Sequence, residues 1–140
     1  MLAEISERCN AIEECYEFML AYAAQGLRSD EGSKSGEQIR EYLGRAVQAI
    51  AGLAESCETA VKQERLEPAE RYHAFFKVLG RDAGDALAAI ELVLAQPAIS
   101  SQLIDNLNAS VHLRALLTDL FLVIEIVETR RSGSKTASSS

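Results

Sequence analysis

Tryptophan is absent from this chain of 140 residues, proline occurs twice and glycine only eight times. Leu, Ala and Glu dominate instead, and all three are strong helix formers. No Gly-rich phosphate loop follows a strand pattern, which excludes the common nucleotide-binding signatures. Hydrophobic residues make up 48% of the chain and charged residues 25%, the balance of a single globular domain that buries a core.

An excess of positive charge is also missing, since the net charge is −7 and the isoelectric point is about 4.9. A general binder of nucleic acid or anionic membranes needs a basic face, so the composition argues against both and allows only a local basic patch. A membrane span needs about 20 predominantly apolar residues. The segment "ALLTDLFLVIEIV", residues 115–127, is shorter and contains two acids. The N-terminus also lacks a signal-peptide pattern, so we expect a cytoplasmic protein.

Cysteine and histidine are scarce, with three and two copies respectively. Cys9, Cys15 and Cys57 are odd in number and occupy apolar positions, which predicts buried free thiols. Glu70 and His73 have the spacing of a di-metal helix bundle, but His112 has no glutamate three residues before it. We therefore expect no metal site.

Apolar residues recur at spacings of three and four along four segments, which predicts helices and not strands. Ser35 with Gln38 has the pattern of a capping box that opens the second helix. Gly44 and Gly52 are expected inside this helix, at a cost of about 1 kcal/mol each relative to alanine. The second stripe is the most regular one and consists of Ile39, Leu43, Ala46, Ile50, Leu53, Cys57 and Ala60.

Four helices of roughly 24 to 30 residues joined by three short links predict an all-α, up-down-up-down antiparallel four-helix bundle. Pro97 ends the third helix, and Ser100 or Ser101 caps the fourth, which runs to about Arg130. The predicted domain covers residues 1–131. Residues 132–140 are rich in serine and are expected to form a disordered tail.

No catalytic signature is present, so we predict a protein that is not an enzyme, without a cofactor or a small-molecule substrate. His73, followed by Lys77 and Gly80, resembles the arrangement in phosphotransfer bundles at different spacings. A phosphotransfer protein that uses His73 is therefore the remote alternative. A His73→Gln variant would test it by losing phosphoryl acceptance.

Basic residues gather on the predicted second and third helices. Acids balance them in the same segment, so paired, solvated charges explain most of the pattern. An RNA-contacting patch is the alternative, and its candidate contacts are Arg40, Arg45, Arg65 and Arg71. These arginines are expected to contribute more to RNA binding than Arg130, Arg131 and Lys135 near the C-terminus.

The fourth predicted helix is apolar on more than one face. A helix within one bundle needs a single apolar stripe, and a second large apolar face left in water would cause aggregation. We therefore predict a homo-oligomer that covers this face with another subunit. The candidate interface residues are Leu113, Leu122 and Ile126.

The segments "QIREYLGRAVQAIAGLAES" and "ERYHAFFKVLGRDAGDALAAIELVLAQPAIS" resemble a family of small four-helix-bundle proteins. That family includes the intervening-sequence proteins encoded within 23S ribosomal RNA genes and the related accessory proteins of diversity-generating retroelements. The resemblance spans roughly residues 12–127. It implies a non-enzymatic, self-assembling bundle with a scaffold or adaptor role, and a ring, typically a homopentamer. An RNA- or ribonucleoprotein-binding accessory module is the second function that it implies.

Overall fold

The computed structural model describes the backbone of residues 2–139 and the side chains of residues 2–131. This part of the chain is all-helical, with 82% helix and no strand. The predicted all-α class is therefore confirmed. The described residues form six helices: α1 (Leu2–Ala24), α2 (Lys34–Ile50), α3 (Leu53–Gln63), α4 (Ala69–Leu94), α5 (Ser101–Ala109) and α6 (His112–Ser139).

The prediction of four uninterrupted helices is wrong, because two of them are broken. The second ends at Ile50, and Gly52 adopts a left-handed backbone with φ of 79° before α3 begins. Glycine reaches this conformation without a Cβ clash, so a position expected inside a helix becomes a break. The fourth breaks at Val111, whose φ is 61°. The up-down-up-down arrangement stays a prediction.

Two long helices, α1 and α4, organise the core, since each packs against α2, α3, α5 and α6. Their buried faces follow the predicted helical stripes. The side chains that are almost completely buried include Ile5, Ile12, Met19, Ile39, Leu43, Leu79, Ile90 and Leu116. Burying each such side chain contributes about 1.5–3 kcal/mol, so this shared core is the main source of stability.

The helix starts differ in part from the expected caps. Ser33, and not Ser35, caps α2, because its side chain accepts a hydrogen bond from the Gly36 N–H at 2.9 Å. Ser100 caps α5 by accepting from the Leu103 N–H at 3.0 Å. The backbone of α6 continues to Ser139. The predicted disordered tail, residues 132–140, consists mostly of residues whose side chains the structure does not describe. Its disorder stays a prediction.

Candidate functional site

An apolar groove runs along the outer surface between α4 and α6. It encloses about 360 Å³, and its lining is almost entirely hydrophobic. The α4 side supplies aromatic rings and the α6 side supplies branched aliphatic chains. We call it the α4–α6 groove, and its lining residues are Pro68, Arg71, Tyr72, Phe75, Leu122, Val123 and Ile126.

The predicted interface residues divide between this groove and the core. Leu122 is 49% exposed and Ile126 is 41% exposed, and both line the groove. Leu113 is only 3% exposed, so it packs within the chain and is not part of the outer face. The sequence could not distinguish the buried face of α6 from its outer face, because apolar residues cover most of the circumference of this helix near its centre.

A pair of carboxyl groups joins α4 to α6 beyond one end of the groove. Burial, a hydrogen bond with Asp82 and the negative charge of Asp82, in that order, raise the pKa of Asp119 to about 7. The Oδ2 atom of Asp119 is buried, and no described donor reaches it. One proton on the pair lets one carboxyl group donate a hydrogen bond to the other, and its loss leaves two negative charges side by side.

The predicted RNA contacts are scattered by the fold. Arg40 points inward, where its Nε donates to Asp30 Oδ2 at 2.5 Å and its Nη2 donates to the Gln96 carbonyl at 3.0 Å. Arg45 pairs with Glu41 at 2.6 Å and lies over the Tyr42 ring. These two arginines are therefore already engaged within the chain.

The other two candidates occupy separate surfaces. Arg71 is exposed at the end of the α4–α6 groove. Arg65 follows α3 and lines a second cavity, of about 260 Å³, together with Arg130 and Arg131. Arg131 lies 4.0 Å from Glu64, which also lines this cavity. The structure thus groups Arg65 with the two C-terminal arginines that the sequence predicts to be less important.

His73, the residue of the predicted phosphotransfer alternative, lies beside Glu58 of α3, and phosphoryl acceptance by it stays a prediction. Its Nδ1 is hydrogen-bonded to the Glu58 carboxylate of α3, and its side chain is 38% exposed. Among the described residues, no cluster of three or more His, Cys, Asp or Glu side chains could hold a metal ion. This contact with Glu58 links α3 to α4 and orients the ring.

The three cysteines are buried free thiols, as predicted. Burial raises the pKa of Cys9 to about 11 and that of Cys15 to about 12. Burial, with a smaller effect of Glu58, also raises the pKa of Cys57 to about 12. A thiol must ionise to act as a nucleophile or a metal ligand, so these residues serve the core.

A polar network that sequence reasoning missed joins the loops 25–33 and 95–100. Asp30 is buried and accepts the Ile99 N–H at 2.7 Å in addition to the Arg40 guanidinium. The hydrogen bond from Arg40 is the main cause that lowers the pKa of Asp30. Tyr22 donates its hydroxyl to the Ile99 carbonyl at 2.6 Å. We call this set the loop junction. Its contacts span up to 77 positions, which local sequence patterns do not record.

Sequence patterns also do not identify Arg8, although its side chain binds the backbone at the break between α2 and α3. Its Nη1 donates to the carbonyls of Ala49 at 2.9 Å and Ala51 at 2.7 Å, and its Nη2 pairs with Glu4 at 3.2 Å. The carbonyls at a helix C-terminus lack partners within the helix and carry partial negative charge. A guanidinium from α1 therefore caps α2 and fixes its end.

Comparison of the chain with known protein families, curated proteins and solved structures finds no match. The resemblance to the intervening-sequence proteins therefore stays a prediction. Within residues 2–139, no helix has the length and hydrophobicity to cross a membrane.

Proposed function

We propose that this protein is a non-enzymatic, self-assembling helical bundle with a scaffold or adaptor role, of the 23S rRNA intervening-sequence type. The α4–α6 groove is the observation that supports this proposal. Leu122 and Ile126 expose almost half of their surface beside a cavity with nearly no polar lining. A concentrated apolar patch on a charged protein is typical of a protein interface.

A second copy of this chain is the occupant that fits the groove best. Leu122 and Ile126 line the cavity together with Tyr72, and both stay about half exposed in the single chain. We propose that this patch packs against a different patch of the next copy and that the copies close into a ring, with a homopentamer favoured. We further propose an up-down-up-down four-helix bundle in the cytoplasm. In this bundle, α2 with α3 and α5 with α6 each take the place of one helix.

Light scattering tests self-assembly directly. We expect a mass that is a multiple of 15.2 kDa at micromolar concentration. Leu122→Glu or Ile126→Glu should lower this mass, because a buried carboxylate without a partner opposes association. Circular dichroism should show unchanged helicity, since both side chains are half exposed in the single chain.

Phe121→Glu is the matched control. Phe121 is 47% exposed, nearly the same as Leu122, but it does not line the groove. This variant should keep the wild-type mass. A monodisperse wild-type monomer at micromolar concentration would refute self-assembly.

RNA binding is the second candidate, and the three arginines around one cavity favour it. Arg65, Arg130 and Arg131 share this cavity with Glu64, which leaves a local excess of positive charge on an acidic protein. If RNA binds there, Arg65→Gln should weaken retention on structured RNA and reduce its salt dependence. Arg40→Gln is a poor probe, because it breaks the loop junction. Arg45→Gln is the control for this experiment, since Arg45 is exposed and lies on α2, away from the cavity. No retention of the wild type at low salt would exclude this function.

A further inference from the structure

A basic cavity lies where the end of α3, the chain that follows it and the C-terminal half of α6 meet. It encloses about 260 Å³, and Leu66 and Val127, both buried, supply its apolar lining. Three positive side chains and one negative side chain complete the lining and give it a net charge of +2, although the whole chain carries −7. We call it the three-arginine cavity, after Arg65, Arg130 and Arg131.

The guanidinium groups of this cavity keep free hydrogen-bond donors. Each guanidinium has five N–H donors. Arg130 uses one of them, since its Nη1 donates to the Glu67 carbonyl and so holds the side chain against the connection between α3 and α4. Arg131 lies 4.0 Å from Glu64, too far for a hydrogen bond, and Arg65 forms no ion pair with the described residues. Several donors around one small space are suited to a group rich in anionic oxygens.

The backbone at Arg65 is an independent sign that this side chain has a role. Arg65 has a φ of 51°, in the left-handed region, and it directly follows Glu64, the C-cap of α3. The next N–H, that of Leu66, donates to the Val61 carbonyl at 3.1 Å. This is the hydrogen bond of a Schellman motif, in which glycine is the usual left-handed residue. An arginine there carries a steric cost that glycine avoids, which points to a function of its side chain.

We propose that the three-arginine cavity binds a phosphate monoester, the terminal phosphate of a small phosphate ester or a nucleotide. Such a group carries a charge of about −1.5 to −2 at neutral pH and several acceptor oxygens, which match the charge and the donors of the lining. A phosphodiester in the interior of an RNA strand carries a single charge and matches them less well. A site of this kind is independent of self-assembly, and a scaffold can hold the group without converting it.

Titration calorimetry at constant ionic strength compares adenosine 5′-monophosphate with its 3′,5′-cyclic diester. The two probes share the base and the ribose and differ in the charge of the phosphate. We expect the monophosphate to bind at least about tenfold more tightly. Its affinity should fall below about pH 6, where the dianion gains a proton, and that of the cyclic diester should not. Inorganic phosphate is the third probe, and binding as tight as that of the monophosphate identifies the phosphate group alone as the ligand.

Arg65→Gly separates binding from folding. It removes a guanidinium and places glycine where the backbone is left-handed, so affinity for the monophosphate should fall about tenfold or more. The thermal midpoint without ligand should stay the same or rise, because glycine adopts this conformation without a Cβ clash. Arg131→Gln should weaken binding by a similar factor. Arg45→Gln is the control and should bind as the wild type does, since Arg45 pairs with Glu41 on α2, away from the cavity.

Four results would overturn the assignment. They are equal affinity for the monophosphate and the cyclic diester, which would favour a contact with the interior of RNA; affinity that Arg65→Gly and Arg131→Gln leave unchanged; no binding of the monophosphate or of inorganic phosphate at low salt; and a lower thermal midpoint of Arg65→Gly, which would show that the guanidinium serves the fold. Light scattering decides self-assembly separately, so neither outcome depends on the other.

Discussion

Asp119 lies among apolar residues on α6, and the fold uses it as an acid that retains a proton near neutrality. Burial raises its pKa most, and the Asp82 carboxyl group of another helix raises it further. The sequence identifies Asp119 as a polar residue in an apolar stretch, but it does not identify its neighbour. A pKa shift of this kind depends on a contact between distant segments, so no local pattern predicts it.

Replacing Asp119 by asparagine should remove part of the pH dependence of stability. The pKa is about 7 in the folded chain against an ordinary value of 3.8, so the folded state binds more protons between these values. Stability from this group is therefore complete below about pH 4 and declines as pH rises to about 7. The introduced amide stays neutral at every pH and can donate to Asp82. The variant should be more stable than the wild type at about pH 8, by about 1 kcal/mol, because solvent screens a partly exposed carboxyl.

Thermal unfolding at several pH values provides the measurement. The proteins must be compared at equal concentration, since association adds stability. At about pH 4 the two unfolding midpoints should converge, which serves as the internal control. A variant whose midpoint has the same pH profile as the wild type would show that the carboxyl pair does not hold a proton.

At the scale of the element, the apolar periodicity predicts where helices occur and fails to predict where they break. The six helices occupy the four predicted helical segments, because a stripe at spacings of three and four records which face meets the core. Gly52 is a local signal for the first break, but a glycine can also lie inside a helix at a cost of about 1 kcal/mol. The sequence alone does not distinguish these two cases. Val111 offers no such signal, since a β-branched residue rarely adopts positive φ.

Val111→Gly should stabilise the protein by about 1 kcal/mol. Valine at a φ of 61° carries a steric cost that glycine avoids, and its side chain is 52% exposed, so little apolar burial is lost. Chemical denaturation should show a higher midpoint with an unchanged slope. Ala74→Gly, at an exposed position within α4, is the comparison and should lose about 1 kcal/mol. A loss of stability in Val111→Gly would mean that the surrounding chain and not strain sets this break.

At the scale of the whole molecule, the sequence predicts the outer apolar face of α6 but not the α4–α6 groove that this face helps to form. The excess of apolar residues on α6 predicts an outer hydrophobic face, and Leu122 and Ile126 do lie at such a surface. The groove itself could not be predicted, because half of it comes from Tyr72 and Phe75 of α4. The internal role of Arg40 was equally hidden, since Asp30 and the Gln96 carbonyl approach it only in the folded chain.

The loop junction has a further consequence for how relatives of this chain can be found. A Cβ atom at Gly36 would lie 1.7 Å from the Asp30 carbonyl oxygen, so no residue with a side chain fits there while the loop keeps its course. Asp30 in turn needs the guanidinium of Arg40, which lies one helical turn beyond Gly36. An evolving sequence can exchange most core residues for others of similar volume, but it cannot vary these three independently. An acid, a glycine six residues later and an arginine four residues after that form a fingerprint that should persist after overall similarity has faded.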